Sequence, residues 1–374
     1  MSWPASAALL APLAPWFDGN RRELPWRARD LDAAHTDPYA VLVSELMLQQ
    51  TQVATVIPYF RAWMERWPTV AALAAATDGE VHKAWEGLGY YRRARLLHAA
   101  ARRVAEAGWP EDLAGLRELP GLGDYTAPAL AAQAFQWPEP ALDGNAFRVL
   151  ARVLGLEGDP KARARELRTW LRPALEAHGA SRMTQALMEL GARVCGPAPR
   201  CAGCPLHGDC AARKLGATAR IPPPARRAKP KESGFWLVAL EHEERWLLAE
   251  PAAKGLLAGL WRWPTVPLPE AMEDRAAEHV DEYTPLEPVA WPAWTQVYSH
   301  RRERVNPLRL TLSAAFAAPE GMRWIPAADL HRLPMGKRDD RLRGLLDGPG
   351  EALRTGPRPA LLLRHLSSGA APVP

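Results

Sequence analysis

The chain has 374 residues, 48% of them hydrophobic and 24% charged, with a formal net charge of +5. That is enough length and apolar content for two domains with their own cores, and it excludes wholesale disorder. The basic excess is compatible with a polyanionic partner such as nucleic acid but does not demand one.

The first residues, MSWPASAALLAPLAPWF, are apolar, but Pro4, Pro12 and Pro15 interrupt them and no Lys or Arg precedes Arg21. A secretory signal needs a basic region ahead of its apolar core. No later run reaches the roughly 18 apolar residues of a membrane-spanning helix. The expectation is a soluble, intracellular (cytoplasmic) chain with no membrane partner.

Residues 1–215 read as helical. In AAHTDPYAVLVSELMLQQTQVATVI, Asp37 is a candidate N-cap with Pro38 in the first turn, and helical spacing puts Glu45, Gln49 and Gln52 on one polar stripe. Further helices are expected at VHKAWEGL, YRRARLLHAAARRVAEAG, TAPALAAQAF, GNAFRVLARVLGL and SRMTQALMELGARVC. Gly/Pro punctuation at GLGYY, LPGLGD and WPEPALDG separates them. Residues 216–232 combine prolines with Arg and Lys and read as a stiff linker. Beyond it the pattern changes to period two. FWLVAL, RWLLAE and LRLTLSAAF read as strands, with helices expected at PEAMEDRAAEHV and DDRLRGLL, giving an α/β unit over 233–348. Residues 349–374 are expected to form a flexible tail.

All four cysteines fall in one window, Cys195, Cys201, Cys204 and Cys210, spaced C-x5-C-x2-C-x5-C. No cysteine elsewhere could pair with them, so the window implies a reducing compartment and a metal site. Four thiolates suit an iron–sulfur cluster, whereas structural zinc usually takes two C-x2-C knuckles and this window has one; zinc stays open on spacing alone.

Two carboxylates stand out. The stripe bearing Glu45 is either a solvated face or the wall of a cleft, where burial would keep a proton on the acid. Asp143, in PALDGNAF, suits a helix N-cap, as does Asn145. As a pair, two acids fit glycosidic chemistry, one protonating the leaving group and the other facing a cationic sugar. LPGLGDYT is a tight turn into a helix, where Gly121 and Gly123 let backbone N–H groups approach a phosphate. GLGYYRRAR sets two tyrosines beside three arginines, a combination suited to base stacking and phosphate neutralisation.

Six segments together resemble the helix-hairpin-helix DNA glycosylases and, within them, the adenine glycosylase family of MutY type. They are LPWR (24–27), DPYAVLVSELMLQQTQVATVIPYF (37–60), GLGYYRRARLLH (87–98), LPGLGDYTAPAL (119–130), LDGNAFRVLAR (142–152) and MELGARVC (188–195). GLLAGLWRWP (255–264) and TQVYSH (295–300) are similar to that family's Nudix-like C-terminal domain. The resemblance implies a multidomain chain: an all-α helix-hairpin-helix glycosylase domain over 1–215, with the hairpin at 119–125 and an iron–sulfur cluster loop at 195–210, then an α/β Nudix-like domain.

It also implies removal of adenine opposite 8-oxoguanine or guanine in double-stranded DNA, by a monomer that flips the base out of the stack. Glu45 would be the general acid and Asp143 the stabiliser of the sugar cation. Tyr125 and Asn145 would position Asp143, and Arg27, Trp26, Leu48 and Glu189 would form the adenine pocket. Gln50 and Tyr90 would enter the duplex, Tyr90 as a wedge, with Gly121 and Gly123 on its backbone. Tyr298, Ser299 and His300 would read 8-oxoguanine. Cys195, Cys201, Cys204 and Cys210 would hold one [4Fe–4S] cluster.

Tyr125 stands where bifunctional relatives carry a Schiff-base lysine, implying base removal without lyase cleavage. The chain departs from the family in its first cysteine spacing, five residues rather than six, and in Tyr298, where Phe is common. It also lacks the acidic R-E-x-x-E-E helix of Nudix hydrolases, so the second domain is expected to recognise rather than hydrolyse. The rival readings are a thymine or uracil mismatch glycosylase of the same superfamily and a non-catalytic DNA-damage binding protein.

Overall fold

A computed structural model describes residues 3–28, 30, 37–224, 229–253, 255, 257–267, 288–298, 301–352 and 366. It divides into two compact units, Met1–Ala76 with Arg95–Arg226, and Thr77–Ala94 with Arg227–Pro374. Among the described residues the α-helices before residue 216 are α1 (Ser6–Leu10), α2 (Leu13–Asn20), α3 (Pro38–Leu48), α4 (Val53–Arg66), α5 (Val70–Ala74), α6 (Asp78–Ala84), α7 (Arg92–Ala107), α8 (Leu113–Glu118), α9 (Thr126–Phe135), α10 (Gly144–Leu154), α11 (Ala164–His178), α12 (Ala180–Arg193) and α13 (Ala211–Lys214). The segment 77–94, with α6 and the start of α7, packs in the second unit; the others build the first.

In the first unit local chemistry sets the helix starts. The Asp37 carboxylate accepts from the Tyr39 N–H at 2.9 Å, and Pro38 occupies the first turn of α3. The helix does not run on through QQTQ. It stops at Leu48, Gln50 takes a left-handed φ of 58°, and α4 restarts with Gln52 as its N-cap. Residues 49–52 are all polar, so they bring no apolar face to fix another turn on the core. Glu45, Gln49 and Gln52 therefore share no stripe; the Gln49 side chain donates to Thr126 Oγ1 at 3.2 Å.

The hairpin turn between α8 and α9 passes through Gly121 at φ 85°, where a Cβ would stand 2.9 Å from Leu96 Cβ; a side chain there fails on both counts. Leu10, Leu13, Phe17, Leu150, Leu171 and Leu187 fuse α1, α2, α10, α11 and α12 into one apolar cluster. Each such side chain contributes roughly 1.5–3 kcal/mol by leaving water.

The second unit is built on a sheet of β1 (Lys231–His242), β2 (Arg245–Ala249), β3 (Thr265–Pro267), β4 (Val289–Ala290), β5 (Trp294–Val297), β6 (Arg301–Thr311), β7 (Met322–Pro326) and β8 (Glu351–Ala352), with α14 at Lys337–Leu345. The order is β7-β2-β1-β6-β4-β8, with β3 also on β1 and β5 on β6. β1 and β6 run parallel in register from Lys231↔Arg301 to Glu241↔Thr311, and the other pairs are antiparallel. Period two governs burial: Phe235, Leu237 and Ala239 join Trp263 and Leu342 on one face, while Val238 and Leu240 join Leu308 and Leu310 on the other.

The strands expected at FWLVAL and RWLLAE lie in β1 and β2. The one expected at LRLTLSAAF instead begins at Arg301 and ends at Thr311, because Ser313, Ala314 and Ala315 are exposed and have little side chain to pack. The helix expected over 269–280 and, apart from Leu366, the tail from 353 lie outside the described residues. No described helix is long and apolar enough to cross a membrane.

Candidate active site

Glu45, on α3, is only 6% exposed, so the solvated-face reading of its stripe fails. Its Oε1 accepts from Gln133 Nε2 of α9 at 2.7 Å. Burial pushes the carboxyl pKa up, the charge of Asp143 pushes the same way, and hydrogen bonds from Gln133 and Tyr125 oppose them without reversing the shift. The side chain therefore keeps its proton to a higher pH than an exposed glutamate. Tyr125, the N-cap residue of α9, is driven well above the ordinary phenol range by burial, then by the charges of Glu45 and Asp143, so its hydroxyl keeps its proton, which it donates to Met188 Sδ at 3.9 Å.

Asp143 is the N-cap of α10, as its position suggested. Its Oδ1 accepts from Ala146 N–H at 2.6 Å and its Oδ2 from Asn145 Nδ2 at 2.8 Å. The cap fixes the carboxylate, and Asn145 is fixed in turn. Arg148 donates to Asn145 Oδ1 at 2.8 Å, to the Gly191 carbonyl at 2.8 Å and to the Cys195 carbonyl at 2.7 Å. A Cβ on Gly191 would lie 2.6 Å from Asn145 Cβ, so α12 approaches α10 this closely only because residue 191 has no side chain.

A second polar cluster is centred on Glu189, which is 1% exposed. It pairs with Arg22 at 2.6 Å and Arg27 at 3.1 Å. Burial alone would raise its carboxyl pKa; the hydrogen bonds and charges of the two arginines outweigh burial and hold it below the ordinary range. Arg27 also donates to Gln185 Oε1 at 2.7 Å and to the Arg22 carbonyl at 2.7 Å. Arg27 and Glu189 are thus brought together as expected, beside the buried Trp26, which packs edge-on against Phe60. Leu48 is half-buried at the end of α3. Arg22, Gln133 and Gln185 were missed: their partners lie 167, 88 and 158 residues away, and no local pattern marks them.

The four cysteines are unbonded thiols that line one cavity with Arg152, Leu190 and His207. Arg152, 3% exposed, donates to the carbonyls of Ile221, Cys195, Gly196 and Pro197 and, at 3.4 Å, to Cys195 Sγ. Burial, reinforced by the other three cysteines, pushes the Cys204 thiol up to about 11. Among the described residues no three His, Cys, Asp or Glu side chains converge tightly enough to hold a metal ion.

Gln50 is exposed at its left-handed turn, Gly123 is exposed in the hairpin, and Tyr90 is 39% exposed at φ 48°. Tyr298 closes a turn through its N–H to the Arg301 carbonyl at 2.9 Å, with the Arg301 guanidinium 5.3 Å from its ring centre. Ser299 and His300 lie outside the described residues.

Residues 43–173 match the model of the HhH-GPD superfamily of base excision DNA repair proteins, and residues 235–343 match the NUDIX domain. An adenine DNA glycosylase of Arabidopsis thaliana is 36% identical over 69% of this chain, and one of Homo sapiens is 36% identical over 69% of it. The chain spans only 47% and 57% of those two relatives' own lengths. With the adenine DNA glycosylase of Mus musculus it is 34% identical over 85% of its own length and 74% of the relative's. The chain belongs to the adenine DNA glycosylase family. Glu45, Gln133, Tyr125 and Asp143 all fall in the HhH-GPD region, and Tyr298 falls in the NUDIX region. Glu189 and the four cysteines lie between the two matched regions.

Proposed function

We propose that this chain is a monofunctional adenine DNA glycosylase of base excision repair, which removes adenine paired with 8-oxoguanine or guanine. The observation that carries the reading is Glu45, a buried carboxyl whose pKa is raised and which feels the charge of an Asp143 fixed by a helix cap. The target adenine must leave the stack to reach these groups. Glu45 gives its proton to the departing purine, and the bond between the base and the sugar opens with its electron pair on the base. The Asp143 carboxylate, held by Ala146 N–H and Asn145, faces the cationic sugar and bonds to it transiently. Glu45, now ionised, takes a proton from the water that replaces that bond, which restores both acids.

Tyr125 has no amine, so the site forms no Schiff base and true lyase cleavage is not expected. Arg27 and Glu189, with Trp26 and Leu48, would contact the adenine. Gln50, Tyr90, Gly121 and Gly123 would engage the duplex, while Tyr298, Ser299 and His300 would read the opposite base. The domains assigned are 1–215, a linker over 216–232 and 233–348; the enzyme acts as an intracellular monomer.

Cys195, Cys201, Cys204 and Cys210 fit a [4Fe–4S] cluster. Structural zinc usually pairs two C-x2-C knuckles, whereas this window has one, which suits an iron–sulfur loop better. Such a cluster would supply cross-linking of the loop, and Arg152 would hold that loop with four hydrogen bonds.

The test is release of free base from duplexes containing A:8-oxoguanine, A:G or T:G, with Glu45→Gln as control. Adenine from the first two, and none from Glu45→Gln, is expected. Thymine alone would reject the reading in favour of a mismatch glycosylase. Tight binding with no released base would make the chain a damage-binding protein.

A further inference from the structure

The loop Gly87–Tyr90 contains three residues with left-handed φ, Gly87 at 96°, Gly89 at 71° and Tyr90 at 48°. For a tyrosine that conformation is uncommon and persists only where the surroundings enforce it. Part of the enforcement is local. Trp85 Nε1 and an Arg93 guanidinium nitrogen both donate to the Gly89 carbonyl, at 3.0 and 3.1 Å, and the Arg93 guanidinium lies 5.4 Å from the Tyr90 ring centre.

Further enforcement comes from Met335 of the C-terminal segment. Glu86, immediately before the loop, accepts from Met335 N–H at 2.9 Å. Tyr91, immediately after it, donates its hydroxyl to the Met335 carbonyl at 2.9 Å and accepts from Gly87 N–H at 3.3 Å. Met335 is fully buried, and its two main-chain groups bind one flank of the loop each. Arg343 of α14 donates to the same Glu86 oxygen at 3.2 Å, and Lys83 sits 2.6 Å from the other. All these residues belong to one compact unit, in which Tyr91 is buried and Tyr90 protrudes.

We propose that the C-terminal segment clamps this loop through Met335, with Glu86 and Tyr91 as positioning residues that hold the Tyr90 ring ready to stack into a duplex at the lesion. The inference rests on the reading of Tyr90 as a wedge. Its consequence is that the segment carrying the lesion reader also sets the pose of the wedge, so both elements that meet the damaged pair belong to one folded body.

A double-mutant cycle tests it, scored by single-turnover release of adenine from an A:8-oxoguanine duplex. Tyr91→Phe deletes one hydroxyl and keeps the ring; it should slow release roughly 5- to 10-fold, the worth of one or two neutral hydrogen bonds. Tyr90→Ala should slow it more. In the Tyr90→Ala background, Tyr91→Phe should have no further effect, whereas a merely structural role would leave the effects additive. Additivity, or a wild-type rate for Tyr91→Phe, overturns the clamp. Should Tyr91→Phe fail to fold, Glu86→Gln, which drops the charge facing Arg343, is taken through the same cycle with the same two outcomes. A wild-type rate for Tyr90→Ala removes the wedge and the clamp together, and is distinguishable from a wild-type chain that releases no adenine, which refutes the glycosylase reading itself.

Discussion

Gly191→Ala would place one methyl group 2.6 Å from Asn145 Cβ and 3.2 and 3.3 Å from its Cα and carbonyl carbon. Carbon atoms are at ease about 3.5–4.0 Å apart, so α10 and α12 must part by roughly 1 Å. Two of the three contacts are backbone, and no side-chain rotation relieves them. Overpacking of this kind costs about 1–3 kcal/mol, offset by the roughly 1 kcal/mol that alanine gains over glycine inside a helix. The net loss is about 0–2 kcal/mol, and the variant should fold.

Activity should suffer far more. Asn145 holds Asp143 through a 2.8 Å bond, and a misplacement of about 1 Å at a catalytic group can lower a rate on the order of 100-fold. The assay is single-turnover adenine release beside a thermal melt. Gly19→Ala in α2, where a Cβ meets nothing within 4 Å, serves as the matched control and should leave release unchanged. Wild-type release by Gly191→Ala would refute the claim that this helix contact holds Asp143.

Adenine release should decline as pH rises through the raised Glu45 pKa, a limb that Glu45→Gln abolishes along with activity. The same shift governs stability. The folded state keeps a proton that the unfolded chain gives up near its ordinary value of about 4.3, so the contribution is complete below that pH and is lost as pH rises through the folded value. Glu45→Gln should consequently melt above wild type on the alkaline side but not in acid, and equal melts at both pH values would count against burial of this acid. Arg27→Ala strips one cation from the buried Glu189 and should cost about 3 kcal/mol, at the low end for a broken buried pair because Arg22 and Arg193 remain; an unchanged urea midpoint would show that those two suffice. Arg152→Gln loses most of the donors that tie the cysteine loop. Purified protein should then carry less iron per chain, and full iron loading would contradict the anchoring role.

Features set by neighbouring residues were legible in advance. The Asp37–Pro38 start of α3 and the Asp143 cap both follow from chemistry within a few positions. The break after Leu48 was not legible, because helical periodicity resumes on its far side and a polar tetrad looks the same in a helix as in a turn. Whether Glu45 faced water or protein also could not be read, since periodicity gives a face and not what covers it. The cover is Gln133, 88 residues on. In the second unit the alternation in FWLVAL gave the strand, but not its parallel partner at Arg301–Thr311, which is found only once the intervening chain has folded.

The bonds at residue 335 are made by the main chain, through its N–H and its carbonyl. Any amino acid with an N–H could offer the same donor and acceptor, provided that it filled the core as Met335 does, and proline alone would withdraw the donor. Evolution could thus exchange this side chain freely while the attachment persisted, its only visible imprint falling on Glu86 and Tyr91. A comparison of residue identities would pass over the anchoring point and find only the hands that grip it.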